Sequence, residues 1–331
     1  MKKNIIVTAI IGAIILLTST VNAANDSTVA NSSNADKAEW YWLASDNKYS
    51  KFFNPATVTV TKKAKTESGK EVPTEIEAWT KTVYTYEGAE KTIKEYGITK
   101  SLPDPKVLSY SLALLKINPQ TRTIQYARED FYNAENTVIW STSEGRVKEI
   151  NSQSFDEDFY AAIVDEVFRH GEVDRKNAKD RWIDLWKYTN DKGETTNCIA
   201  DTTTMQLKGT NLILWEWEET KNAEGKVLSI RFMKKAVNLP QGTERIAAGS
   251  LWTPSTKWTE LDDEYDGAYR AIKNEDPDYK GLVRLRAYAK GYSTWVTRYS
   301  ITGNAPVAQQ TATKEPETVA PTVNSQEKTF E

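Results

Sequence analysis

The chain has 331 residues, 39% of them hydrophobic, with 43 Lys and Arg against 46 Asp and Glu. That length suggests one to three domains with real cores, and a formal charge of -3 offers no basic face for nucleic acid. The single Cys, Cys198, excludes an internal disulfide and a thiolate-based structural zinc site.

The chain opens with Lys2 and Lys3, a nearly continuous apolar run from Ile5 to Leu17, and then Val21-Asn22-Ala23. This pattern predicts a signal peptide over residues 1–23 with cleavage after Ala23, and so an exported protein. The destination is the periplasm, the cell surface or the medium. No later run is apolar enough to span a bilayer, so no transmembrane segment is expected after cleavage. Residues 24–38 are rich in Asn, Ser, Ala and Asp and read as a flexible leader. Residues 303–331 are dominated by Thr, Pro, Gln and Glu and read as a disordered tail.

Between these ends the sequence looks duplicated, as modules over 39–171 and 172–302. Trp42 stands opposite Trp182, Ala56 to Thr61 opposite Ala200 to Met205, and Trp79 opposite Trp217. Further on, Pro119 and Arg122 match Pro240 and Arg245, Trp140 matches Trp258, and Gly145 to Ile150 matches Gly267 to Ile272. Each unit then reaches an acidic helix start, at Asp156 and at Asp276. An insertion in the first unit, Glu87 to Tyr110, carries Ala89, Ile93 and Tyr96 at helical spacing, with Gly97 to end the helix. Tyr110 to Ile117 and Thr123 to Phe131 alternate as strands across a Pro-centred turn, and Asn222 to Gly225 makes a second turn. Ser154 and Glu157 predict a capping box, with Phe159, Ile163 and Val167 lining one helix face; Pro277 follows the Asp276 cap. Strands followed by one amphipathic helix give an α+β fold class, two tandem antiparallel meander sheets with a closing helix on one face of each.

An early Trp42, a Tyr49 strand, Ile76-Glu-Ala-Trp79, the Leu112 to Phe131 hairpin and a helix after Ser154 follow one another in this order. In that order the chain resembles the surface-adhesin protein E-like family of bacterial envelope proteins, as two divergent copies. The resemblance implies small sheet-plus-helix modules and adhesion to a host matrix or envelope protein. The family's lipid-anchoring Cys and paired Cys have no counterpart here.

No catalytic motif emerges. His170 closes the first helix without a nucleophile or base nearby, which reads as a dipole-compensating helix end. Cys198 reads as a small buried residue. Asp262, Glu264 and Asp266, followed by Gly267, resemble the start of a calcium loop. Arg270 and Lys273 at the ninth and twelfth positions leave them only weak calcium candidates in a solvated acidic loop. No metal and no cofactor are expected. Trp residues matched between the units are assigned to core, which leaves the unmatched Trp40, Trp186 and Trp295 as candidate partner-binding aromatics. The expected function is non-enzymatic, adhesin-like binding of a protein partner at the envelope or surface. The alternatives are a periplasmic module for an envelope component or small ligand, and a hydrolase with a cleft between the modules.

Overall fold

A computed structural model describes residues 39–143, 145–169, 181–261 and 267–301. The signal peptide, the leader, the tail, His170 and the candidates Asp262, Glu264 and Asp266 lie outside the described residues.

Eight strands build the first antiparallel sheet: β1 (Tyr41–Ser45), β2 (Tyr49–Phe53), β3 (Thr59–Lys65), β4 (Glu71–Tyr84), β5 (Tyr110–Asn118), β6 (Thr123–Tyr132), β7 (Val138–Ser143) and β8 (Lys148–Glu149). Their order is β1-β2-β4-β5-β6-β7, with β3 added to β4 and β8 to β6. The second sheet has β9 (Trp182–Thr189), β10 (Thr195–Asp201), β11 (Gln206–Lys208), β12 (Asn211–Lys221), β13 (Val227–Asn238), β14 (Thr243–Thr253), β15 (Lys257–Glu260) and β16 (Arg270–Ala271). Its order, β9-β10-β12-β13-β14-β15 with β11 on β12 and β16 on β14, repeats the first strand for strand. Helices α1 (Tyr86–Glu95) and α2 (Glu157–Phe168) belong to the first half, α3 (Pro277–Gly291) and α4 (Ser293–Val296) to the second.

The repeat extends to the irregularities. Leu43 and Leu185 are the extra residues of bulges at the same place in the β1–β2 and β9–β10 ladders. Ala127 and Ala247 play that part in β5–β6 and β13–β14. In each hairpin an Asn carboxamide, Asn118 or Asn238, accepts a backbone N–H three residues on, at 3.0 and 3.1 Å. The residue before the return strand is left-handed in both, Arg122 at φ 55 and Gly242 at φ 66. Each also accepts a 2.8 Å bond at its carbonyl, from Ile150 and from Ile272. Glycine adopts this conformation freely and arginine at a cost, so Arg122 needs a reason to be there.

These registers correct the pairing read from matching tryptophans. Asn118 pairs with Thr123 and Asn238 with Thr243, which moves the hairpin match by one residue. Counting from there, Trp79 corresponds to Trp215, not Trp217, and Trp40 to Trp182, leaving Trp42 unmatched. The β2–β4 and β10–β12 links confirm the offset. The Thr57 hydroxyl donates to the Asn54 carbonyl and accepts from Trp79 N–H; Thr204 does the same between Asp201 and Trp215. Ala56 therefore matches Thr203, and Pro55–Thr57 is a helical turn instead of the start of a strand. Trp140 faces Phe131 whereas Trp258 faces Trp252, one row further along.

Sequence periodicity did place the elements themselves. Ser111, Ala113, Leu115 and Ile117 are buried in alternation along β5. Helix α1 is capped by the Thr85 hydroxyl at Gly88 N–H, buries Ala89 and Ile93, and stops at Gly97 with φ 66. Gly88 is obligatory, because a Cβ there would lie 2.2 Å from the Lys48 carbonyl oxygen. The Ser154–Glu157 capping box does not form. The Ser154 hydroxyl instead bonds Asn151, and Glu157 spends its carboxylate on Arg122 and Arg181.

Phe159, Tyr160, Ile163 and Val164 of α2 share one core with Ile76, Ala78, Leu115, Ile117 and Ile124. Leu282, Leu285, Tyr288 and Ala289 of α3 share another with Leu185, Leu212, Leu214 and Val237. The two halves meet through Arg122. Its guanidinium reaches Ile150 O at 2.8 Å, Thr203 O at 3.0 Å and Glu157 at 3.2 Å, and stacks over Tyr160. Beside it Glu149 takes Lys234 at 2.7 Å and the Trp215 indole N–H at 3.3 Å, while the Gln206 amide donates to Pro119 O at 2.9 Å. This junction is what the strained left-handed arginine secures.

Candidate functional site

The strip of the first sheet between α1 and α2 is where its chemistry concentrates. Glu129 enters it from β6, Ser111 from β5 and Tyr84 from β4, and Tyr96 comes down from the end of α1. Glu129 is 3% exposed, with one carboxylate oxygen accepting from the Tyr96 hydroxyl and the other from Ser111 at 2.8 Å. Ser111 in turn meets the Tyr84 hydroxyl at 2.8 Å. Alongside, the Tyr126 hydroxyl donates to buried Asp156 at 2.5 Å, and Lys148 approaches the same carboxylate at 3.9 Å. Aromatic rings run across the strip: Trp140 against Tyr96, Tyr96 against Phe131, then Tyr84, Tyr49 and Phe155 in sequence.

Glu129 has no ion-pair partner among the described residues. Burial pushes its carboxyl up to about 7 against the pull of the Tyr96 and Ser111 hydrogen bonds, and the nearby Asp156 charge pushes the same way. The same burial, reinforced by Glu129, drives the Tyr96 and Tyr84 hydroxyls upward, so both stay protonated donors. A carboxyl titrating near neutrality between tyrosine hydroxyls can hold or pass a proton, or accept a hydrogen bond from a bound group.

The second sheet has nothing comparable at that place. Gly249 stands where Glu129 does, and Leu261 fills the space so closely that a Cβ on Gly249 would lie 2.6 Å from it. Instead the second core holds a buried ammonium. Lys235 reaches Glu216 at 3.0 Å, Glu244 at 3.1 Å and Asp278 at 3.2 Å, with its side chain 3% exposed. Burial alone would push Lys235 down, but the three carboxylates, Glu216 foremost, hold it well above its ordinary value. Burial pushes Glu216 up to about 7 despite Lys235, because three carboxylates share one ammonium. At the matching positions the first sheet carries Leu115, Thr80 and Ile124, all apolar or neutral.

The candidate aromatics are dispersed. Trp186 is 7% exposed and belongs to the second core, its indole N–H bonded to Asp278 at 3.1 Å, so it presents no surface. Trp295 packs against the same core and donates to Thr202 O at 2.9 Å. Trp40 is half-buried, and the residue without a counterpart, Trp42, is 56% exposed. Cys198 is fully buried, 3.8 Å from Glu216, and burial raises its thiol well above the usual range. No described helix is long and apolar enough to cross a membrane.

Glu129 escaped the sequence reading for a physical reason. Ile124 and Tyr126 set the core-facing parity of β6, which would send Glu129 outward. The bulge at Ala127 reverses that parity, and Glu129 and Phe131 turn inward together. No family model matches this chain, and no curated protein resembles it significantly.

Proposed function

We propose that the chain is an exported, non-enzymatic binding protein of the cell envelope or surface, adhesin-like, whose first module engages a protein partner. In this reading each module is a sheet with its closing helix laid on one face. The observation that carries the proposal is the exposure of large aromatic side chains in the first half. Trp42, Tyr41 and Tyr86 are each more than half exposed, and Tyr96 and Phe155, at 38%, flank the Glu129 strip. Tyrosine and tryptophan supply the anchors of protein interfaces, giving large contact area for little conformational entropy. The Tyr96 ring is already held by Glu129, Phe131 and Trp140, so little further ordering is needed when a partner lands on it.

A second reading, a module for an envelope component or small ligand, draws support from Glu129 itself, a buried acid with no ion-pair partner among the described residues. Photo-reactive residues placed singly at Trp42, Tyr96 and Trp258 in producing cells separate the two. The proposal expects the same protein adduct from Trp42 and Tyr96 and none from Trp258 of the second module. Absence of a protein adduct at both first-module positions would reject it in favour of the small-ligand reading.

A further inference from the structure

Among the described residues, the junction inside the chain has an unused image at each end. On the second sheet the receiving face is Thr203, Trp215 and Lys234; on the first sheet the same positions are Ala56, Trp79 and Leu114. The first sheet contributes Arg122 and Glu149 to the junction, and the same positions of the second sheet are Gly242 and Ala271. Within the chain the contact covers Trp215 to 7% exposure, whereas Trp79 and Leu114 remain half-buried, and Ala56 and Ala271 are exposed. The substitutions are paired. Where the junction sets Glu149 against Lys234, the outward faces would set Ala271 against Leu114, an ion pair exchanged for an apolar one. The hydrogen bond from the Arg122 side chain to the Thr203 backbone carbonyl has no counterpart on the outward faces, where Gly242 brings no side chain to Ala56.

We propose that a second copy of this chain docks the β13–β14 hairpin and β16 of its second sheet onto the Trp79, Leu114 and Ala56 face of the first sheet, repeating the internal junction between molecules. Such a contact is heterologous, so successive copies add head to tail and either close a ring or extend a chain. It goes beyond the binding of a different protein, and its outcome is independent of that reading.

Sedimentation velocity of the purified chain, from low to high micromolar concentration, tests it. Concentration-dependent association is expected. Ala271→Glu, a change at an exposed residue that leaves the core untouched, should weaken that association at least about tenfold by facing Leu114 with an unpaired charge. Leu114→Lys alone should do the same. The double variant recreates the Glu149–Lys234 pair and should recover association. A chain monomeric at every concentration overturns the proposal. So does association that ignores both single changes, or a double variant no better than the singles.

Discussion

Replacing Lys235 with leucine, the residue found at the matching place in the first sheet, destabilises the protein by about 3–5 kcal/mol. Among the described residues the lysine is the only cation paired with Glu216, and it shares Glu244 with Arg270 and Asp278 with the Trp186 indole. Without it Glu216 is left in the core with no compensating charge. The ion cluster nevertheless adds little net stability, because the cost of desolvating its charged groups offsets most of their attraction. The first sheet shows the apolar solution in the same fold, with Leu115, Thr80 and Ile124 around one register position. The triple variant Lys235→Leu, Glu216→Thr, Glu244→Ile therefore recovers most of the loss. Asp278 keeps Trp186 and solvent, being 30% exposed. Urea unfolding followed by tryptophan fluorescence measures both variants. A single change costing less than about 1 kcal/mol would show that the cluster is already open to water. A triple variant weaker than the single would contradict the equivalence of the two sheets.

Stability of the native chain falls as pH rises from 5 to 8. Glu129 titrates at about 7 in the folded state against an ordinary value of 4.5, so folding binds its proton more tightly. The stabilisation is complete below 4.5 and is lost as pH passes through 7, amounting to at most about 3 kcal/mol. Glu216, also raised to about 7, acts in the same direction. Glu129→Gln keeps an acceptor for Tyr96 and removes one of the two titrations, so its pH dependence is shallower than wild type and its advantage grows toward pH 8. Denaturant midpoints at pH 5 and pH 8 decide the matter. Equal slopes in the two proteins would mean that Glu129 is already ionised or hydrated, and a native stability that rises over this interval would reverse the sign.

The architecture was legible where one side chain decides one thing. Alternation drew β5 and β6, Pro and Gly ended the α1 insertion, and the Asn118 and Asn238 turns marked homologous hairpins. The order of elements sufficed to show that the second half repeats the first. What was hidden is whatever depends on counting through a bulge. Leu43, Leu185, Ala127 and Ala247 each add a residue that no composition rule announces, and each shifts or reverses everything beyond it. Matching tryptophans across such shifts paired Trp42 with Trp182 and so sent the surface assignment to Trp40. The Glu129 strip and the Lys235 cluster were invisible for a second reason. Each assembles residues from three or more elements, and 46 acidic residues give no ranking of which will meet. In the sequence Arg122 reads as part of a turn; only its left-handed backbone and the glycine at the matching position reveal its place in the junction.

The proposed function requires export and action outside the cytoplasm, which protease shaving of intact cells checks. Peptides from 311–331, a Thr-, Pro- and Glu-rich stretch with little apolar surface to bury, are the reporters. Their release from intact cells is expected while a periplasmic control protein stays whole, with the mature chain beginning after Ala23. Protection of those peptides until the cells are lysed would contradict the adhesin-like reading and leave the protein working inside the envelope.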